Sequence, residues 1–287
     1  MLFDIENLWC SYDRPYIKDT SRIVIKIQSL KIERGQRVFI VGESGIGKST
    51  ILETLGMMNN TIVPNISTRF LYYEENGDAI DLCQLWNKGD NALSQFRLSN
   101  YSFIFQSTNL MRNFTAYENV AYTRMLQGYS SKDCYEMTKR VLAELGLEHM
   151  DEKRMTQELS GGQQQRLAFA RAVLPDYTVL FGDEPTGNLD QENAVRVMKV
   201  LIDHSSGSSN STAIIVSHDM HLATTFADVI VKIRKCVTPR SNPEGEDIVN
   251  GYIDESCIFR PNEDRNRWMG KGISMETTEF ENYLRKK

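Results

Sequence analysis

The chain has 287 residues, with 33 Lys and Arg against 38 Asp and Glu, a net charge of −5, 25% charged and 41% hydrophobic residues. That balance belongs to a globular protein with a real core, long enough for one large α/β domain or two small ones, and the total charge gives no reason to expect a nucleic-acid partner. No apolar run approaches the ~18 residues of a membrane span, and MLFDIENLWC carries Asp4 and Glu6 where a signal peptide would carry Lys or Arg, so a cytosolic chain is expected.

In the first ~35 residues, Ile23, Ile25 and Ile27 alternate with Arg22, Val24, Lys26 and Gln28, the period of a strand with one wet face. RVFIV (37–41) reads as a buried strand that stops at a glycine, and STILETLGMM as a helix. Between them, GESGIGKS (42–49) fits GxxxxGKS in the strand–loop–helix context that makes the pattern specific. Gly42, Gly45 and Gly47 let the backbone curl so that successive N–H groups point inward at a phosphate. The helix start adds positive dipole at the same spot. The segment Gly42, Glu43, Ser44, Gly45, Ile46, Gly47, Lys48, Ser49 and Thr50 is thus a nucleotide cradle. Lys48 is placed to reach the β- and γ-phosphates, and Ser49 to give a hydroxyl to Mg²⁺.

RFLYYE and YSFIF read as strands, and 115–126 and 131–146 as helices, the second with Met137, Val141, Leu142 and Leu145 at helical spacing. LSGGQQQR (159–166) follows. Two glycines are a costly way to begin a helix, and they make sense if the helix start must approach an anion. Ser160 caps it with Gln163 in a capping box, while Gly161 and Gly162 leave the N–H groups open. A second anion-seeking helix start beside a complete cradle implies a second nucleotide face, met when two copies pair head to tail. In VLFGDE (179–184) an apolar strand ends in Asp183, placed to hold Mg²⁺, and Glu184, placed to polarise a water. YTVLF and TAIIVS flank the helix QENAVRVMKVLID, and strands alternating with helices argue a parallel sheet.

His218 follows TAIIVS directly and is a functional candidate; His221, His149 and His204 read as ordinary polar residues. Tyr117 is either a core residue or a contact for a membrane protein. The five cysteines, odd in number and without a CxxC, read as reduced thiols. From Cys236 the composition shifts: CVTPRSNPEGEDIVNG reads as an extended hairpin loop, and the tail as polar with one short helix, TTEFENYLRKK.

Residues 2–235 resemble the nucleotide-binding domain of the ATP-binding cassette (ABC) superfamily, on GESGIGKST, FIFQ, LSGGQQQR, VLFGDEP, GNLD and VSHD in that order. The resemblance implies an α/β P-loop NTPase core with an antiparallel β subdomain and a helical signature subdomain. The expected division is 1–235 for the ATPase domain and 236–287 for the hairpin and polar tail. It implies an ATPase bound to Mg²⁺ and ATP in a homodimer that drives a separate membrane permease from the inner face of the cell membrane. It gives Gln106 a role toward Mg²⁺, water and the membrane partner, Asp190 a role in dimer communication, and His218 a hydrogen bond to the γ-phosphate. Tyr12 is the best match to the aromatic that stacks on adenine, with Tyr16 as its rival. FIFQSTNLMRNFTAYENV and DEPTGNLD look like the ATPases of lipoprotein release, macrolide-type export and cell division. The rival readings are a soluble ABC ATPase acting on DNA or ribosomes, and a defective cassette. The first lacks coiled-coil arms or a second cassette here, and the second is opposed by intact Lys48, Asp183, Glu184 and His218.

Overall fold

The computed structural model describes residues 1–13, 23–187, 189–206, 210–238 and 248–286. In chain order the strands and helices are β1 (Phe3–Cys10), β2 (Ile25–Ile32), β3 (Arg37–Val41), α1 (Lys48–Leu55), β4 (Arg69–Tyr73), β5 (Ala79–Asp81), α2 (Leu82–Leu85), α3 (Asp90–Asn100), β6 (Tyr101–Ile104), α4 (Ala116–Leu126), α5 (Ser131–Glu144), α6 (Gly161–Val173), β7 (Val179–Asp183), α7 (Gln191–Ser206) and β8 (Thr212–Val216). Then come α8 (Met220–Phe226), β9 (Val229–Lys232), β10 (Arg234–Thr238), β11 (Ile248–Ile253), β12 (Ile258–Pro261), β13 (Arg267–Gly270), β14 (Ile273–Glu276) and α9 (Thr277–Arg285). The residues fall into two compact units, Met1–Ser94 with Val216–Lys287, and Gln95–Ile215.

The first unit holds a mainly antiparallel sheet in the order β10-β11-β2-β1-β4-β5. β1 pairs with β2 from Phe3↔Ile32 to Cys10↔Ile25. The expected alternation is visible there: Ile25 and Ile27 are buried and Gln28 is exposed. The same unit holds the run β14-β13-β12-β9-β3, in which β3 and β9 are parallel and buried. The second unit holds β8, β7 and β6 side by side, with β6 and β7 parallel in the register Tyr101↔Val179. Its helices α4 and α5 start at Thr115 and Ser130, whose hydroxyls accept from Glu118 N and Asp133 N.

Two local readings shift. The helix after the cradle stops at Leu55, because Gly56 caps it and Met57 turns to a left-handed φ of 55°. The tail is far from a merely polar extension. Besides α9 it forms β12, β13 and β14, and it closes over Phe259, Trp268 and Phe280, each at most 1% exposed. Trp268 stacks on Phe280 at 5.1 Å, and Phe280 lies 5.0 Å from Phe259. Burying a Phe or Leu side chain contributes about 1.5–3 kcal/mol, so Phe280 and Leu284 are what dock α9. β10 and β11 pair antiparallel from Arg234↔Tyr252 to Thr238↔Ile248, so residues 236–238 and 248–250, expected in the loop, are strand; residues 239–247 lie outside the described ones.

Candidate functional site

In the first unit the loop between β3 and α1 has the shape the glycines promised. Gly45 and Gly47 have φ of 76° and 105°. The conformation of Gly47 requires glycine, and a Cβ there would also stand a tight 3.1 Å from Val24 Cγ1. Lys48 is 6% exposed, and its Nζ donates to the carbonyls of Gly42 at 2.9 Å and Glu43 at 2.7 Å. The ammonium is thereby held against its own loop. Ile46 and Thr50 are buried, while Ser44, Gly45 and Ser49 are exposed. Glu43 faces Lys235 at 3.8 Å.

Tyr12 lies over the same helix. Its ring is 57% exposed, its hydroxyl donates to Glu53 Oε2 at 2.9 Å, and it lies 3.1 Å from Thr50 Oγ1. Burial pushes its phenol up, and the Glu53 carboxylate adds to that against the Thr50 hydroxyl. Tyr16 is outside the described residues. His218 is exposed, one residue before Asp219, which caps α8 by accepting from Leu222 N at 3.0 Å. Gly42, Glu43, Ser44, Ile46 and His218 line one cavity of about 860 Å³, so the structure brings the histidine and the loop together.

In the second unit, the opening of α6 carries both halves of the capping box: Gln163 N donates to Ser160 Oγ at 3.3 Å, and Ser160 N donates to Gln163 Oε1 at 2.9 Å. Neither glycine is forced by the chain itself. Neither has a positive φ, and among the described residues a Cβ on Gly161 meets nothing within 4 Å and one on Gly162 meets only Leu189 Cδ2 at 3.9 Å. At the end of β7, Glu184 sits at a φ of 49°, a left-handed conformation that costs a non-glycine residue about 1–2 kcal/mol. Its carbonyl accepts from Gly187 N at 3.1 Å and closes a turn. Asp183, just before it, is half-buried. A Cβ on Gly182 would stand 3.4 Å from Pro185 Cγ, so alanine fits there at ordinary contact.

Gln106 is exposed past the end of β6. The segment after it is pinned by Arg171, which donates to the carbonyls of Thr108 and Asn109 at 2.8 Å each, and by Asn119, which exchanges hydrogen bonds with the backbone of Met111. Asp190 caps the next helix: it accepts from Asn193 N at 2.9 Å and Asn193 Nδ2 at 2.6 Å, and those bonds hold its carboxyl below the usual range. Tyr117 is 5% exposed and tilted against Tyr135, a core residue. Sequence reasoning passed over Gln165. It is buried, and its Nε2 donates to the Pro185 carbonyl at 3.0 Å, tying the signature helix to the turn at Glu184. It stands in the polar stretch QQQR ahead of the apolar run of α6, where no local pattern sets it apart from its neighbours.

The profile of the ABC transporter family matches residues 25–187. The chain belongs to the ABC transporter family. It is an ATPase that binds ATP. A lipoprotein-releasing system ATP-binding protein, LolD, of Colwellia psychrerythraea is 32% identical to it over 81% of this chain and 85% of its own length. The macrolide export ATP-binding/permease protein MacB of Campylobacter fetus is 37% identical over 74% of this chain, which spans only 30% of that protein. Among solved structures, the ATP-binding cassette MJ0796 in a dimeric post-hydrolysis state bound to ADP and Pi superposes with a TM-score of 0.67 at 28% identity, over 80% of this chain and 94% of the other. The ABC transporter fold accounts for the P-loop core, the antiparallel sheet of the first unit and the helices α4, α5 and α6 of the second. Among the described residues no helix is long and apolar enough to cross a membrane, and no cluster of three or more His, Cys, Asp or Glu could hold a metal ion.

Proposed function

We propose that residues 1–235 form a cassette that hydrolyses Mg²⁺-ATP between two copies paired head to tail and drives a separate membrane permease, with 236–287 as an accessory segment. The observation that carries this reading is the start of α6. Gly161 and Gly162 are demanded neither by backbone conformation nor by packing against the described residues, so their bareness suits a group from outside, and a capped helix N-terminus suits an anion. The similar cassette MJ0796 is dimeric with ADP and Pi.

Gly42–Thr50 and Lys48 hold the triphosphate, with Tyr12 against the adenine. Ser160, Gly161, Gly162 and Gln163 of the second copy close on it. Ser49, Gln106 and Asp183 would hold Mg²⁺, a set of hard oxygen donors that suits the ion, which when bound neutralises charge on the β- and γ-phosphates. Glu184 takes a proton from the attacking water, His218 donates to the γ-phosphate, and Asp190 reports across the dimer. The soluble DNA- or ribosome-acting alternative gains no support from the relatives, one of which belongs to a lipoprotein-releasing system while another joins ATP-binding and permease functions. A permease segment would dock where Phe103, Phe105, Tyr122 and Leu126 line an apolar cavity of about 340 Å³; Leu126 is 52% exposed there. The protein then works in the cytoplasm, peripheral on the inner face of the cell membrane.

Glu184→Gln tests the dimer. It removes the proton acceptor and keeps the side chain's shape, and general-base catalysis is worth roughly 10²–10⁴-fold, so ATP should trap two copies together. Light scattering with saturating Mg²⁺-ATP should show a dimer that Ser160→Arg abolishes. A Glu184→Gln protein that stays monomeric with ATP and permease both present would refute the arrangement.

A further inference from the structure

Helix α8 is the element that follows His218, and its seven residues are too few to hold a helix by themselves. Its position must come from what grips it. The C-terminal segment grips it at two levels. In the middle, Glu281 of α9 accepts from Thr224 Oγ1 at 2.7 Å and faces His221 Nδ1 at 3.3 Å. At the C-terminal end, Arg265 donates to the Thr225 and Ala227 carbonyls at 3.3 and 2.8 Å, where a cation also suits the helix dipole. Arg265 makes this reach from a left-handed φ of 54°, a strained conformation that needs its surroundings to hold it; Thr277 Oγ1 donates to its carbonyl at 2.9 Å.

The same guanidinium donates to Asp228 Oδ1 at 2.8 Å, and Asp228 is also paired with Arg37 at the start of β3. β3 runs into the phosphate loop. One network therefore ties the base of α8, whose other end carries His218, to the base of the strand that carries the loop. Near the loop, Lys232 Nζ donates to the carbonyls of Tyr283 and Lys286 at 2.7 and 3.1 Å and sits 4.1 Å over the Tyr283 ring. That anchors the end of α9 on the wall of the cavity that His218 and Gly42–Ser44 also line.

We propose that the segment from β12 through α9 is a clamp that sets the position of His218 during ATP hydrolysis, with Glu281 and Arg265 as positioning residues. The proposal rests on the assignment of His218 to the γ-phosphate made above. The clamp leaves the bonds of Lys48 untouched, so it acts on turnover and spares nucleotide binding.

The test uses the full chain with Trp9 and Trp86 replaced by Phe, so that emission reports Trp268 in the tail alone. Glu281→Ala should lower kcat about tenfold with KM for ATP within about twofold, the pattern of a group misplaced in the transition state alone. Glu281→Gln should restore most of the rate, because its amide oxygen still accepts from Thr224. In a His218→Ala background, Glu281→Ala should add nothing. If Glu281→Ala disturbs Trp268 emission, Thr224→Val deletes the same bond from the α8 side and is read by the same criteria. Wild-type kcat in a Glu281→Ala protein with intact emission, or an effect that multiplies with His218→Ala, overturns the clamp and leaves the site standing. Full turnover in His218→Ala sinks the site assignment and the clamp together.

Discussion

Gln165→Leu is the substitution that tests how the turn bearing Glu184, the proposed proton acceptor, is built. Glu184 holds a left-handed φ of 49°, which costs about 1–2 kcal/mol. Pro185 follows it, and the Pro185 carbonyl accepts from buried Gln165 Nε2 at 3.0 Å. Leucine has nearly the volume of glutamine and no donor. Its introduction leaves the buried carbonyl without that partner, at a cost of about 1–3 kcal/mol. The loss matches the strain it offsets, so the turn gains access to an unstrained conformation in which Glu184 is misdirected. With a tenfold change in rate per 1.4 kcal/mol, kcat should fall about 10- to 30-fold. Lys48 is bonded to Gly42 and Glu43 and is unaffected, so ATP affinity should not change. Steady-state kinetics, equilibrium binding of a fluorescent ATP analogue and thermal unfolding together decide it. A variant with lowered Tm and unchanged kcat would refute the reasoning, since the bond would then serve stability alone.

Two further outcomes are expected. Lys48→Ala should lose most ATP affinity or turnover, because a point charge on the β- and γ-phosphates is gone; titration with the fluorescent analogue checks it, and unchanged affinity with unchanged turnover would refute the cradle. For Asp228, burial pushes the carboxyl up, but the hydrogen bonds from Arg37 and the charges of Arg37 and Arg265 outweigh it and hold the group below its ordinary value. A depressed carboxylate stabilises the fold fully above its unfolded value, ~3.9, and that contribution fades as pH falls through the lower folded value. Asp228→Asn should therefore lower stability by about 2 kcal/mol near neutral pH and flatten its acid dependence below about pH 4, as read by urea unfolding at several pH values.

The conformation of the loop at 42–49 was legible in the sequence because its constraints are local. A buried strand, three glycines and a lysine at fixed offsets leave one conformation, and Gly47 at φ 105° is the residue that conformation needs. The capping box at Ser160 and Gln163 was legible for the same reason: both its bonds close within four residues. The strands of the tail were not, because each is four residues long and each of β13 and β14 offers at most one fully buried side chain, so no period could be counted. What fixes them is one tryptophan, Trp268, meeting Phe280 from a helix nine residues further on. Gln165 was missed by the same logic. Its partner lies twenty residues away, and nothing in QQQR distinguishes the buried glutamine from its neighbours.

The long-range contacts invisible to pattern reading are also the ones that hold the segments bearing the proposed site residues. Gln165 sets the turn at Glu184 from across the second unit. Arg171 sets the segment after Gln106 through the carbonyls of Thr108 and Asn109. Arg265 and Glu281 hold the helix that begins behind His218. In each case the chemical residue stands at the end of a strand or the start of a helix, where its own backbone hydrogen bonds run out. A side chain from a distant element then supplies the missing bonds. The motifs point to the groups proposed to react; these second residues hold the backbone on which those groups stand, and a misplacement of about 1 Å can cost roughly a hundredfold in rate.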